Sequence, residues 1–282
     1  MEEAIKKAHV LIEALPYIKK FHRKIVVIKY GGSILSDAKI RHRVLEDIVF
    51  LNFMGLRPLL VHGGGAHISE RMRSQGKKAR FFEGLRVTDK KTLLMVEEEL
   101  KKLNKMITEE IIGLGAKAVG LDGKKIIQVQ KRQAKIDLGF VGEITRINSR
   151  AILKGLSVDT VGVLLPLGRG KDRETYNINA DEAAASIATA LRAEKLVFLT
   201  NVKGIMRSFD EPQSFIPTLN IKEAEGLIKE KIIQEGMIPK VKACIYALEN
   251  GVKKTHIIDA RIAHALLLEI FTDKGIGTEI IR

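Results

Sequence analysis

The 282 residues contain no tryptophan, one cysteine, four tyrosines and six prolines. With Cys244 alone, no intrachain disulfide can form and no cysteine-rich metal site can be built. Cys244 falls in the run Val241-Lys242-Ala243-Cys244-Ile245, where helical periodicity predicts a buried structural thiol. Few aromatics leave few platforms on which single-stranded nucleic acid could stack. No uninterrupted apolar run reaches the ~18 residues of a membrane span. The opening Met1-Glu2-Glu3 lacks the basic-then-apolar pattern of a signal peptide. A soluble, cytoplasmic protein is expected, with no membrane partner.

Acid is scarce relative to base: 34 Asp and Glu against 48 Lys and Arg, a net charge of +14. Such a surplus predicts an anionic ligand, with much of it a solvated lysine-rich surface. No block of five or six like charges stands out, which places a phosphate-bearing small molecule ahead of nucleic acid. His22, His42, His67, His256 and His264 show no metal-ligand spacing, and no metal site is expected.

What is present is alternation of short apolar runs, glycines and helical segments. Residues 1–21 carry Ile5, Ala8, Leu11, Ile12, Leu15 and Ile18 at steps of three and four, the mark of an amphipathic helix that Pro16 should kink or break. Residues 24–29 read as a buried strand closed by Tyr30-Gly31-Gly32, then a helix over 37–53. Pro58-Leu59-Leu60-Val61 is a second strand, closed by Gly63-Gly64-Gly65 before a helix over 68–75. Two strand–glycine–helix units in succession predict a parallel, doubly wound α/β sheet. Helices are further predicted over 89–112, 179–191, 221–231, 237–249 and 262–270. Strands are predicted over 158–165, 196–199 and 256–258, with a hairpin within 116–147 and a polar loop over 168–173.

Glycine turns at strand ends serve either to make tight connections or to let backbone N–H groups approach an anion. The pair of turns favours the second use, at the carboxyl edge of the sheet where such folds bind ligands. Neither turn is a dinucleotide fingerprint or a P-loop. Lys29 ends a buried strand just before the first turn, where a lysine is costly unless it meets an anion or snorkels to water. In Tyr176-Asn177-Ile178-Asn179-Ala180-Asp181, Asn179 can act as a helix cap and Asp181 as a first-turn acid. His62 reads as a satisfied strand-end histidine, while Lys240 and Arg86 carry no signal of their own.

Lys29-Tyr30-Gly31-Gly32, His62-Gly63-Gly64-Gly65, Gly84-Leu85-Arg86-Val87-Thr88, the Tyr176–Asp181 run and Gly236-Met237-Ile238-Pro239-Lys240-Val241 occur in this order. Together with Asp137-Leu138-Gly139-Phe140-Val141-Gly142-Glu143-Ile144, they resemble the amino acid kinase family over essentially the whole chain. Departures from its pattern stand at Ser33, Ala66-His67, Lys102–Lys105 and Asn201. The resemblance implies a three-layer αβα sandwich with a mainly parallel central sheet. It implies transfer of a phosphoryl group from ATP, carried with Mg2+, to the side-chain carboxylate of N-acetyl-L-glutamate. By similarity Lys29 and Lys240 would stabilise the transferring group, and Asp181 would orient both. Gly31 and Gly32 would bind phosphate, while Gly64, Gly65, Arg86 and Asn177 would hold the acetylated acid.

The segment from Phe271 to Thr278, with Tyr17, His256, Glu269, Gly275 and Gly277, resembles the arginine-inhibited branch. That likeness implies arginine as inhibitor and a homo-oligomer, a hexamer built as a trimer of dimers or a plain dimer. It divides the chain into an oligomerisation helix (1–21), an acid-binding lobe (22–173) and a nucleotide-binding lobe with the arginine site (174–282). Two alternatives remain open at this point: a kinase for an acetylated aminoadipate-type acid in lysine synthesis, and a catalytically weak amino-acid sensor.

Overall fold

The computed structural model describes residues 1–208, 211–234, 236–272 and 275–282, with the side chains of Ala8 and Leu11 among several outside that description. Asp273 and Lys274 of the segment resembling the arginine-inhibited branch also lie outside it. Helix α1 (Glu2–Phe21) leads into β1 (Ile25–Tyr30), the short α2 (Ser33–Ser36) and α3 (Ala38–Phe53). Next come β2 (Arg57–His62), α4 (Gly65–Ser74), the small β3 (Phe81–Phe82) and β4 (Leu85–Arg86), then the long α5 (Lys90–Gly113). Strands β5 (Lys117–Asp122), β6 (Ile127–Lys131) and β7 (Gly142–Ile147) precede α6 (Ser149–Gly155). Strands β8 (Thr160–Leu165), β9 (Leu167–Gly170) and β10 (Thr175–Asn177) lead to α7 (Ala180–Ala190). The rest runs β11 (Lys195–Thr200), β12 (Ile205–Met206), β13 (Phe215–Ile216), β14 (Thr218–Asn220), α8 (Ile221–Lys229), α9 (Ile238–Glu249), β15 (Lys254–Asp259), α10 (Ala265–Phe271) and β16 (Thr278–Ile281).

Among the described residues the central sheet has the order β14-β16-β15-β11-β1-β2-β8-β5. Its pairings are parallel except β15 with β16. Because successive strand residues face opposite sides, β1 divides its apolar residues between two cores. Val26, Ile28 and Tyr30 pack with α3, α5 and α10, whereas Val27 packs with α6, α7 and α9. The result is an α/β fold of three layers. Lys29 shares the parity of Val27 and points toward α7 and α9, which fixes what it meets.

Caps set several boundaries, Asn179 among them as the sequence predicts. Asp37 accepts from the N–H groups of Lys39 and Ile40 to start α3, and Asp89 accepts from Thr92 to start α5. Asn179 accepts from Asp181 and Glu182 at 2.8 and 3.2 Å. Cys244 is fully buried on α9.

Other expectations need correction. Helix α1 runs through Pro16 without the break that was one of the two outcomes expected there. The carbonyl that its missing N–H would have reached belongs to Ile12, which is exposed and can be satisfied by water. The polar run at 168–173 is no simple loop: Gly168, Arg169 and Gly170 pair as β9 with β10 and β6. Helix α4 begins at Gly65 and α10 at Ala265, each three residues from the expected start. Elements α2, α6 and β16 were not anticipated, being too short for periodicity to register. No helix among the described residues is long and apolar enough to cross a membrane.

Candidate active site

Lys29 lies in β1 one residue before its end, and α7 starts opposite it. Its ammonium meets Asp181 Oδ1 at 2.8 Å, while Lys240, from the first turn of α9, meets Asp181 Oδ2 at 3.0 Å. One carboxylate thus sits between two cations, with Lys29 and Asp181 only 8% and 6% exposed. Burial alone would raise the Asp181 pKa, but the two lysines outweigh it and hold the group below the usual carboxylate range. The alanine-rich α7 allows this approach. Ala183, Ala184, Ala185 and Ala188 are buried and bring the helix backbone close to the sheet and α9.

Above this ion triad opens a cavity of about 220 Å3 whose wall includes Lys29, Gly32, Gly63, Arg86, Asn177 and Asp181. Gly64 and Gly65 also line it. Gly64 caps α4 without a side-chain hydrogen bond, so the start of that ten-residue helix presents its backbone and dipole to the cavity. A methyl on Gly64 would stand 2.8 Å from Leu100 Cδ2. Gly31 is not on the wall: it lets the two turns touch, since a Cβ there would stand 3.2 Å from Gly63 Cα and from Lys29 Nζ. Lys240 is likewise behind Asp181 rather than on the wall.

Arg86 is 6% exposed. It donates to the Gly65 carbonyl at 2.9 Å and Ser69 Oγ at 2.8 Å, and lies 4.7 Å from the Phe81 ring centre. Burial pulls its pKa down from the usual guanidinium value, and no carboxylate of the chain pairs with it among the described contacts. It is a buried cation suited to a carboxylate ligand. Asn177 donates to Thr88 Oγ1 at 3.2 Å, and Thr88 in turn donates to the Arg86 carbonyl at 2.7 Å.

His62 is fully buried with Nδ1 against the Gly63 carbonyl at 3.0 Å and Nε2 against Asn104 Nδ2 at 3.2 Å. Burial pushes its pKa down to about 4, so it is a neutral structural group at physiological pH. Thr88, Ser69, Phe81 and Asn104 were not singled out from sequence. Thr88 ends the Gly84–Thr88 motif and Asn104 falls within the Lys102–Lys105 departure, whereas Ser69 on α4 and Phe81 on β3 carry no sequence signal of their own.

A second cluster lies on the opposite face of the sheet. His256 pairs with Val197, whose side chain packs toward α3 and α10. Its Nδ1 is 2.6 Å from Glu269 Oε1. Glu269 Oε2 accepts from the N–H groups of Ile276 and Gly277 at 2.9 and 3.2 Å. Burial would raise the Glu269 pKa, yet His256 and these donors hold it below the usual range. Gly275 has φ +58° beside that carboxylate, and a Cβ on Gly277 would stand 2.4 Å from the Ile257 carbonyl oxygen. Tyr17 of α1 packs edge-to-face on Phe271 at 6.4 Å. Among the described residues, no group of three or more His, Cys, Asp or Glu side chains is arranged to hold a metal.

The profile of the amino acid kinase family matches residues 24–259. The chain is 48% identical to the acetylglutamate kinase of Petrotoga mobilis over 99% of its own length and 95% of the relative's. Its fold is similar to N-acetylglutamate synthase from Neisseria gonorrhoeae solved with coenzyme A and N-acetyl-glutamate. There the TM-score is 0.88 at 27% identity, covering 98% of this chain and 63% of the synthase. The same synthase solved with coenzyme A and L-arginine gives a TM-score of 0.84 at 26% identity, covering 97% and 65%. The chain spans just under two thirds of that synthase. It belongs to the amino acid kinase family and, within it, to the acetylglutamate kinases, phosphotransferases with a carboxyl group as acceptor.

Proposed function

We propose that the chain transfers the γ-phosphoryl group of MgATP to the side-chain carboxylate of N-acetyl-L-glutamate, as a step of arginine biosynthesis. A carboxylate oxygen attacks γ-phosphorus, the bond to the bridging oxygen of ADP breaks, and an acyl phosphate forms. The observation that carries this reading is the Lys29–Asp181–Lys240 arrangement, of which Lys29 and Asp181 lie on the wall of the Arg86–Asn177 cavity. Two anions must be brought together, so the barrier is chiefly electrostatic. Lys29 faces the cavity and would stabilise the transferring group, and Lys240 its leaving side. Asp181 is a positioner: the attacking carboxylate, with an ordinary pKa of about 4.3, is already deprotonated and needs no base. Arg86, Asn177, Gly64 and Gly65 would bind the acetylated acid, and Gly31 and Gly32 would shape the phosphate passage. The Mg2+ would arrive on phosphate oxygens.

The finer reading is feedback inhibition by arginine at Tyr17, His256, Glu269, Gly275 and Gly277. The buried, ionised Glu269 offers a partner to a guanidinium or α-amino group, and a structural neighbour has been solved with L-arginine. Exposed Ile12 and Leu15 on α1 support a helix that packs on another subunit, with a hexamer as the assembly. The lobe division near residue 173 follows the same reading.

The test is ADP release by the purified protein with MgATP and N-acetylglutamate, with and without arginine, and with N-acetylaminoadipate in place of the acid. Turnover on acetylglutamate that arginine suppresses supports both levels. Turnover only on the aminoadipate compound moves the substrate. A folded protein without turnover on either refutes the catalytic reading.

A further inference from the structure

The residue after Asp181 is also an acid. Glu182 lies in the first turn of α7 and is approached by Arg132, from the segment joining β6 to β7, in a close ion pair. Burial raises the Glu182 pKa above the usual carboxylate value, Glu143 and Asp181 add to the rise, and Arg132 is the one group that favours its charge. Among the described residues, the guanidinium Nε of Arg132 is buried with no hydrogen-bond partner. A side chain kept only as a strap would be expected to satisfy its whole fork, since buried donors left unpaired are costly. The contact supplies Glu182 with one hydrogen bond and a countercharge.

The same residue reaches the cavity through its backbone. The Arg132 N–H donates to the Val141 carbonyl at 2.8 Å, and Val141 lines the cavity and bridges to Asn177. The Asn177 N–H donates to the Phe140 carbonyl at 2.9 Å. Thus the connection between β6 and β7 is stitched to the substrate side of the site at Asn177 and to the start of α7 at Glu182.

We propose that Arg132 is a charge-compensating positioning residue for binding of the acetylated acid. Paired with Glu182, it cancels a carboxylate next to Asp181 that would otherwise repel a ligand with two carboxylates of its own. This rests on the proposed function. It makes no claim that either side chain touches the ligand.

The experiment measures the dissociation constant of N-acetylglutamate by calorimetry, together with kcat, KM and thermal unfolding. It compares the full-length wild type with Arg132→Gln, Arg132→Lys, Glu182→Gln and the double variant Arg132→Gln/Glu182→Gln. Arg132→Gln is expected to weaken binding about tenfold, equivalent to ~1.4 kcal/mol, with kcat little changed. Arg132→Lys should recover most of this. Glu182→Gln should not weaken binding, and the double variant should return to within about twofold of wild type, a coupling that a double-mutant cycle isolates. Glu182→Gln binding as poorly as Arg132→Gln, or a double variant no better than Arg132→Gln, overturns the proposal and leaves the pair a structural strap. Wild-type protein that fails to bind acetylglutamate refutes the underlying function instead, before any variant is compared.

Discussion

Replacing Asp181 by asparagine keeps the size of the side chain and removes the one negative charge between the buried Lys29 and the half-buried Lys240. Two contacts, at 2.8 and 3.0 Å, lose their ionic character, and the new amide can turn a donor toward only one ammonium at a further cost. Removing one partner of a buried ion pair costs about 3–5 kcal/mol of stability. The lower end applies because Lys240, with a side chain 22% exposed, can swing toward water, whereas Lys29, at 10%, has little room. For catalysis, misplacing a preorganised charge at the transferring phosphoryl group corresponds to about 10²–10³ in kcat. The site grows more positive, so KM for MgATP should not rise. Steady-state kinetics beside urea unfolding reads both effects. In the wild type, the low pKa of Asp181 contributes stability above its unfolded pKa and loses it as pH falls through the folded one. That part of the acid-side loss should vanish in Asp181→Asn. A variant with wild-type kcat and an unaltered unfolding midpoint would refute the reasoning.

Arg86→Lys loses the fork that reaches Gly65 and Ser69 and should raise KM for acetylglutamate about 10- to 100-fold, as loss of ~1.5–3 kcal/mol of charge-assisted hydrogen bonding implies. Substrate titrations would check it. Gly64→Ala places a methyl 2.8 Å from Leu100 Cδ2 and should lower stability by about 1–3 kcal/mol. Thermal unfolding measures that, and the narrowed cavity should weaken acetylglutamate binding. Under the proposed feedback reading, Glu269→Gln removes the ionised partner held by Ile276 and Gly277, and should raise the arginine concentration for half-inhibition at least about tenfold, ~1.4 kcal/mol of lost charge pairing. An inhibition curve at fixed substrate decides it.

The sheet and its ligand edge were legible in sequence because they depend on local pattern. Apolar runs of four to six residues ended in glycines, and caps such as Asp37, Asp89 and Asn179 stood where helices begin. Lys29 was legible in part: a cation ending a buried strand had to meet an anion or snorkel to water, and its pairing with Asp181 was implied by the family resemblance alone. Local pattern could not name that anion, because Asp181 also served well as a first-turn acid. Lys240 and Arg86 read as surface cations, for their burial and partners come from tertiary packing. Lys240 meets Asp181 across 59 residues, and Arg86 is enclosed by α4 and Phe81. Pro16 does not break α1 because an exposed helix face tolerates a missing hydrogen bond. β16 and β9 escaped notice because four-residue strands gain their definition from neighbours.

The central claim is that the Lys29–Asp181–Lys240 site phosphorylates a carboxylate. It is tested most directly by trapping the product with hydroxylamine, which converts an acyl phosphate to a hydroxamate. With MgATP and N-acetylglutamate, the account predicts hydroxamate in proportion to ADP, lost in Asp181→Asn. ADP formed without hydroxamate, or hydroxamate at wild-type rate from Asp181→Asn, would contradict it.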